Sequence, residues 1–339
     1  MKKGLLILAM DHDIHADAVH DLITRRGYSS FRLDPELEWT PSDDAPTEDV
    51  WSPMAKLNWS LSNDGWESSL NWHDQKIDLS NIAAVFCRNF QFARVDENAP
   101  IESHLRFAEM KAGLYGALKT LDSCYWMNRP WLEDAVDNKM VQGQDATRFG
   151  LSVPRTLVTN SERNAREFID RCKNGAIIKQ LSEIGLIDDD PDSPETYGFY
   201  TSLVTDEFLE HLGEVAYAPC LFQEAIVKKA DIRVTVVGDK IFAHRIASQS
   251  NPTSVTDFRR DPDLPTEKFE FPEETGRALL DLLNFWGIEF AACDFALTPD
   301  DNLIFFEANV TGNWLWLEDV DDHPILDEIV TTLSKHLDP

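Results

Sequence analysis

Three oxygen-bearing side chains near the end of the chain have the types and spacing of a metal site. Asp294 lies in one strand-like apolar run, Glu307 and Asn309 lie in the next, and the turn sequence 299–302 joins the two runs. If residues 300–301 form a two-residue turn, Asp294 lies directly opposite Glu307. Asn309 then points to the same side of the sheet, because side chains alternate along a strand.

Facing carboxylates in an apolar sheet repel each other and require a shared proton or a cation. Two carboxylates and an amide oxygen are hard ligands of the kind that Mg²⁺ takes. The alternative is a hairpin with one solvated side, from which the acids point into water and bind nothing.

Two lysines could complement such a site. Lys139 lies near the start of a predicted helix, and Lys179 ends the sequence GAIIK in the predicted strand 175–180. A lysine is a compact point charge that suits phosphate groups. For each lysine alone, a place on the solvated surface is the competing interpretation.

Arginines are concentrated in the next part of the chain. Arg233 and Arg245 lie on the two arms of a hairpin predicted from the turn sequence at 238–239, and Arg259 follows. In a chain with a net charge of −29, such a concentration indicates anion binding. Salt bridges to neighbouring acids such as Asp257 are the alternative for any single arginine.

The composition limits the classes of protein. The 339 residues include 43% hydrophobic residues but no apolar run near the ~18 residues that a membrane span needs. The first run, 5–9, reads as a buried strand rather than a signal peptide. Five scattered cysteines without a paired spacing favour a reducing cytoplasm over disulfides or zinc. The negative charge argues against nucleic acid as a partner.

Three segments are predicted, namely residues 1–129, 130–220 and 221–339. The first alternates strands with helices, which predicts a mostly parallel, doubly wound sheet. It also contains a tryptophan-rich acidic stretch, 34–80, with a predicted hairpin at 57–72.

The order of motifs resembles the ATP-grasp superfamily, and within it the microviridin-type (graspetide) ligases that crosslink ribosomal peptides. The matching stretches are NK at 138–139 with GLSVP at 150–154, IIK at 177–179, FQEAI at 222–226, DIRVTVVGDKIFAHRI at 231–246, DFRR at 257–260, DFAL at 294–297 and FFEANVTGNWLW at 305–316. The likeness implies an α/β fold in which a doubly wound N-terminal pre-ATP-grasp domain precedes two α+β subdomains that clasp ATP.

The resemblance also implies roles for individual residues. ATP phosphates would meet Lys139 and Lys179, and Mg²⁺ would be held by Asp294, Glu307 and Asn309. The adenine would lie on the hinge strand Gln223, Glu224, Ala225 and Ile226, the ribose on Asp231, and the phosphates or an acyl phosphate on Arg259 and Arg233.

Two stretches depart from the pattern of the family. The loop 181–201 is acidic where many relatives have a glycine-rich loop over the phosphates. The sequence CRNF at 87–90 stands where relatives often have paired arginines, which weakens the case for a role of Arg88.

The resulting hypothesis is a cytoplasmic, homodimeric ligase that uses ATP to activate Asp or Glu side chains of a precursor peptide, leader plus core. It would join them to Ser or Thr hydroxyls or Lys amines. The tryptophan-rich stretch could grip the leader, although packing within the protein explains those tryptophans as well. The alternatives are a ligase that adds a free amino acid to a protein or small peptide, and a nucleotide-binding module without chemistry.

Overall fold

A computed structural model gives the fold of the chain. It describes residues 3–34, 56–72, 75–90, 92, 95, 98–181, 186–187, 196–197, 200–318, 320 and 324–338. Trp39, Trp51 and most of the acidic loop 181–201 lie outside the described residues. Within the described ranges, no helix has the length and apolar character to cross a membrane.

The described residues form a mixed α/β structure. Its strands are β1 (Gly4–Leu8), β2 (Ser30–Leu33), β3 (Lys56–Ser62), β4 (Gly65–Trp72), β5 (Gln75–Asp78), β6 (Ile82–Cys87), β7 (Tyr125–Met127), β8 (Thr156–Thr159), β9 (Ala176–Lys179), β10 (Leu186–Ile187), β11 (Thr196–Tyr197), β12 (Ser202–Leu203), β13 (Cys220–Glu224), β14 (Ala230–Val237), β15 (Lys240–Ile246), β16 (Thr266–Lys268), β17 (Phe290–Leu297) and β18 (Leu303–Asn309). Its helices are α1 (Ile14–Arg25), α2 (Ile101–Lys119), α3 (Pro130–Val136), α4 (Lys139–Arg148), α5 (Glu162–Ile169), α6 (Asp206–Glu210), α7 (Glu273–Trp286) and α8 (Ile325–Ser334).

The first sheet is parallel, with the strand order β2-β1-β6-β7. Every residue of β1 is buried, because helices cover both faces of the sheet. Leu5 and Ile7 pack towards α1 and the C-terminal helix α8, whereas Leu6 and Leu8 pack towards α2. The predicted doubly wound sheet is confirmed, and the last helix of the chain returns to cover it.

The hairpin predicted at 57–72 is confirmed, and it forms a small separate sheet with the order β3-β4-β5. A second sheet is antiparallel and has the order β12-β9-β13-β8. Phe222 of β13 is fully buried in a small core with residues of α5 and of the segment that follows α6.

The third sheet is antiparallel, with the order β16-β15-β14-β17-β18, and α4 and α7 pack against it. The predicted turn at 238–239 is confirmed, since Val237 pairs with Lys240. Gln142 of α4 donates to the carbonyl oxygen of Ala308 and accepts from its N–H, both at 2.9 Å. This pair of hydrogen bonds holds the start of α4 beside β18.

Asn128 joins the first sheet to the third. Its Nδ2 donates to the carbonyl oxygens of Phe290 (2.8 Å) and Val310 (3.0 Å), and its Oδ1 accepts from the N–H groups of Glu289 and Phe290. Trp314, fully buried, lies in the same core as the first sheet and α8. The segment that follows β18 is therefore packed between the two sheets.

Candidate active site

Asp294 and Glu307 face each other across β17 and β18, as predicted. The predicted two-residue turn is wrong, because the strands end at Leu297 and Leu303 and leave five residues for the turn. The longer turn shifts the register by one residue. A β-bulge at Phe306 shifts it back, so that Glu307 is again opposite Asp294.

Positive side chains compensate both carboxylates. Arg233 Nη1 lies 3.0 Å from each carboxylate oxygen of Asp294, and Lys139 Nζ lies 3.5 Å from Glu307 Oε2. Burial and the neighbouring charge of Glu307 raise the pKa of Asp294 in spite of Arg233. Burial also disfavours ionised Glu307, but the charges of Lys179 and Lys139 outweigh it and lower the pKa of that carboxyl.

The donor atoms fit a hard divalent cation. Asn309 lies two residues beyond Glu307, and its Oδ1 accepts hydrogen bonds from the N–H (2.9 Å) and hydroxyl (3.2 Å) of Thr311. Among the described residues, no group of three or more His, Cys, Asp or Glu side chains is placed to hold a metal. Two carboxylates with an amide oxygen therefore remain the candidate ligand set, and this set suits Mg²⁺.

Lys139 and Lys179 reach Glu307 from two different elements. Lys139 is the first residue of α4, where the side chain of Asn138 caps the helix by accepting from two backbone N–H groups. Lys179 ends β9, and its Nζ lies 4.8 Å from the ring centre of Phe306. Burial lowers the pKa of Lys179 although Glu307 opposes this. The structure thus brings both predicted lysines to the candidate metal site.

The predicted hinge residues lie at and just after the end of β13. Gln223 is buried and donates to the hydroxyl of Thr156 at 3.1 Å. The N–H groups of Glu224 and Ala225 donate to the carbonyl oxygens of Arg155 and Gly175. Ile226 follows beyond the strand. A base bound here would take its hydrogen bonds from groups other than these two N–H groups.

Asp231 is buried and is paired with a lysine that the sequence analysis did not assign. Lys228 Nζ lies 2.8 and 2.7 Å from the two carboxylate oxygens, and it is 5.9 Å from the ring centre of Phe306. Burial raises the pKa of Asp231 although Lys228 opposes this. The lysine doublet 228–229, which begins two positions after the last hinge residue, was the available signal for this residue.

The arginines separate into two groups. Arg259 donates from Nε (2.9 Å) and Nη2 (2.7 Å) to Asp257, and this bonding raises the pKa of Arg259. Its charge also acts on Asp294 and Glu307, so it belongs to the same site as Arg233. Arg245 does not, because it lies opposite Ile232, on the other face of the sheet from Arg233, and pairs with Glu267.

The solved structures most relevant to this arrangement match nearly the whole chain. Macrocyclase MdnC of Microcystis aeruginosa MRC, bound with precursor peptide MdnA, is 26% identical, covers 98% of this chain and 99% of its own, and has a TM-score of 0.79. An ATP-grasp ligase of Chryseobacterium gregarium, associated with RiPP (ribosomally synthesised, post-translationally modified peptide) biosynthesis and complexed with ADP and a leader and core peptide, is 25% identical, covers 99% of both chains and has a TM-score of 0.83.

The chain is an ATP-grasp ligase. No protein-family model matches it. A curated relative, the tetrahydromethanopterin:alpha-L-glutamate ligase of Methanocaldococcus jannaschii, is 26% identical over 221 residues, which are 62% of this chain and 70% of the relative. The predicted superfamily, fold and resemblance to peptide macrocyclases are confirmed.

Removal of a carboxylate tests the candidate metal ligands of the ligase. We expect Mg²⁺ in the presence of ADP to raise the unfolding temperature of the unmodified protein, because a ligand that binds the folded state stabilises it. In Glu307→Gln and Asp294→Asn, we expect the Mg²⁺ concentration that gives half of that shift to rise at least about tenfold. Removing a group that only holds a metal ligand in place already lowers metal affinity by about this factor, so removing a ligand should cost no less. The measurement is a Mg²⁺ titration of thermal unfolding.

Glu267→Gln is the matched control, because the exposed Glu267 lies on an edge strand of the same sheet and pairs with the half-buried Arg245. It should leave the Mg²⁺ titration unchanged. Equal titrations for Glu307→Gln and Glu267→Gln would show that Glu307 is not a ligand.

The neighbouring lysines 228 and 229 provide a second test. The side chain of Lys228 is 7% exposed beside Asp231, whereas that of Lys229 is 38% exposed and pairs with Asp301. Lys228→Met should raise the KM for ATP about tenfold, which corresponds to a loss of about 1.4 kcal/mol of binding.

Lys228→Met also leaves Asp231 buried without its partner, which costs roughly 3–5 kcal/mol of stability. Adding Asp231→Asn should therefore restore stability while the KM for ATP stays raised. Lys229→Met should change neither quantity. If Lys229→Met raises the KM as much as Lys228→Met does, Lys228 has no particular role in nucleotide binding.

Proposed function

We propose that the ligase activates Asp or Glu side chains of a ribosomal precursor peptide as acyl phosphates and joins them to Ser or Thr hydroxyls or Lys amines of the same peptide. The products are macrocyclic esters or amides. The observation that carries the proposal is the pairing of Asp294 with Glu307, beside which lie Arg233 and Lys139. The charges of Lys179 and Arg259 also act on this pair. The full-length match to two ligases that were solved with peptides supports a peptide as the substrate.

In this proposal Lys139 and Lys179 bind ATP phosphates. When held by Asp294, Glu307 and Asn309, Mg²⁺ supplies positive charge to the phosphate oxygens. The lysines and the metal ligands already lie together in the protein, so phosphate can bind with little reorganisation.

The first chemical step is the attack of a peptide carboxylate oxygen on the γ-phosphorus of ATP. The bond from that phosphorus to the β,γ-bridging oxygen breaks, and ADP leaves. A hydroxyl or amine of the peptide then attacks the acyl carbon, the bond to the phosphate oxygen breaks, and phosphate leaves while the nucleophile loses a proton. Arg233 and Arg259 stabilise the negative charge in both steps, and the enzyme otherwise orients the reactants.

ATP would lie between the segments 130–220 and 221–339, with the segment 1–129 as the N-terminal domain. The hinge, Gln223 to Ile226, would contact the adenine. Asp231 would reach the ribose, and because Lys228 holds its carboxylate, we place Lys228 at the same end of the nucleotide.

The proposal also covers the partner of the enzyme, its compartment and its oligomeric state. The peptide partner carries a leader and a core, and the enzyme acts in the cytoplasm as a homodimer. The net charge of −29 argues against nucleic acid as a further partner.

A second candidate is the addition of a free amino acid to a protein or small peptide. The curated relative favours it, because that protein is a glutamate ligase and its similarity covers 221 residues. Both reactions share the acyl-phosphate step and differ in the nucleophile.

Incubation with ATP, Mg²⁺ and a candidate precursor peptide, which carries Asp or Glu together with Ser, Thr or Lys, distinguishes the two candidates. The proposal expects the peptide to lose the mass of one water molecule per crosslink, without any added amino acid. Mass spectrometry of the peptide before and after alkaline hydrolysis then separates esters from amides. A mass gain that depends on an added amino acid would support the second candidate and contradict the crosslinking of one peptide.

A further inference from the structure

Arg88, directly after β6 in the first sheet, is 2% exposed and is bonded to two distant parts of the chain. Its Nε donates to both carboxylate oxygens of Asp13, at 2.8 and 3.1 Å. Its Nη1 donates to the carbonyl oxygens of Thr311 (2.6 Å) and Gly312 (3.0 Å), and its Nη2 donates to Asn313 Oδ1. One guanidinium thus holds three consecutive residues of the segment that follows β18.

The same three residues contact groups of the candidate active site. Thr311 donates its N–H and hydroxyl to Oδ1 of Asn309. The carbonyl oxygen of Asn313 accepts from Arg233 Nη2 at 3.2 Å, and Nη1 of the same arginine holds Asp294. The segment 311–313 therefore has Arg88 on one side and the site residues on the other.

Packing leaves the segment 311–313 little freedom to move. A Cβ atom added at Gly312 would lie 2.4 Å from the Cβ of Ala292 and 2.9 Å from Nη2 of Arg233. Because contacts this short cannot be made, the backbone of Gly312 packs directly against β17 and Arg233. A displacement of the segment would displace Arg233 as well.

Burying a guanidinium is costly, and burial lowers the pKa of Arg88 although Asp13 opposes this. A contact that served stability alone could be made by apolar side chains of similar volume. Arg26, directly after α1, also joins the N-terminal part of the chain to the C-terminal helix α8. Arg26 bonds Asp327 and Thr331 near the surface and bonds none of the described residues 311–313.

We infer that Arg88 is a positioning residue for the ligase reaction. By holding the segment 311–313, it orients Asn309 as a metal ligand and keeps Arg233 aligned with Asp294. Through Arg88, the N-terminal sheet takes part in building the site. The inference rests on the proposed function, because it assumes that Asn309 binds Mg²⁺ and that Arg233 acts on the phosphates.

The experiment compares Arg88→Gln and Arg88→Lys with Arg26→Gln, which removes an arginine that bonds α8 near the surface. For each variant, the Mg²⁺ concentration at half of the ADP-dependent thermal shift is measured, together with kcat and KM on the precursor peptide. We expect Arg88→Gln to raise that concentration ~10–100-fold, the usual cost of losing a group behind a metal ligand, and to lower kcat. Arg88→Lys should restore part of the Mg²⁺ affinity and part of kcat. Arg26→Gln should lower only the unfolding temperature.

A folded Arg88→Gln protein with an unchanged Mg²⁺ titration and unchanged kcat would overturn the inference and leave Arg88 a purely structural role. If both Arg88 variants fail to fold, Asn313→Ala decides, since it removes one acceptor of Arg88 and keeps the buried pair with Asp13. It should raise the half-saturating Mg²⁺ concentration by a smaller factor, and no change would again overturn the inference. If the unmodified protein shows no thermal shift with Mg²⁺ and ADP, the proposed function fails instead.

Discussion

Two carboxylates that face each other inside a sheet are the constraint on which the site depends. Unit charges about 5 Å apart, as cross-strand neighbours are, repel by roughly 3 kcal/mol at an effective dielectric constant of about 20. Asp294 and Glu307 can both stay ionised only where positive charge is supplied. Arg233 and Lys139 supply it in the protein, and the same oxygens suit a divalent cation.

The compensating cations come from separate elements, which explains why the site needs the whole fold. Lys139 starts a helix that Gln142 fastens to β18, Lys179 ends a strand of the second sheet, and Arg233 lies in the third sheet. The chain has 31 lysines and arginines against 60 aspartates and glutamates. Concentrating cations at one point of so acidic a protein favours the binding of phosphate there over the rest of the surface.

The sequence predicted well what depends on local pattern. The predicted pairing of the two strands placed Asp294 opposite Glu307. The turn is longer than predicted, but the β-bulge at Phe306 offsets the shift in register that the longer turn causes. The alternation of side chains along a strand could have excluded Arg245, since the confirmed turn at 238–239 puts it on the other face of the sheet from Arg233. The two arginines were instead grouped by their position in the chain, with a salt bridge left open for each, and the structure pairs Arg245 with Glu267.

Contacts between distant residues were not predictable in this way. Arg88 bonds residues more than 220 positions later in the chain, and nothing in its local sequence specifies those partners. The pairing of Lys228 with Asp231 is close in sequence, but it required knowing that both are buried. The hydroxyl or amine that attacks the acyl phosphate likewise belongs to the bound peptide, so the sequence of this chain does not specify it.

The proposed function depends on the activation of a peptide carboxylate as an acyl phosphate. The most direct measurement uses a precursor peptide whose Asp and Glu carboxyl oxygens carry a heavy oxygen isotope, with mass spectrometry of the phosphate released. An acyl phosphate predicts one labelled oxygen in phosphate for each crosslink, because the carboxylate oxygen that attacks the γ-phosphorus leaves with it. Phosphate free of label, with the crosslinks formed, would exclude an acyl phosphate.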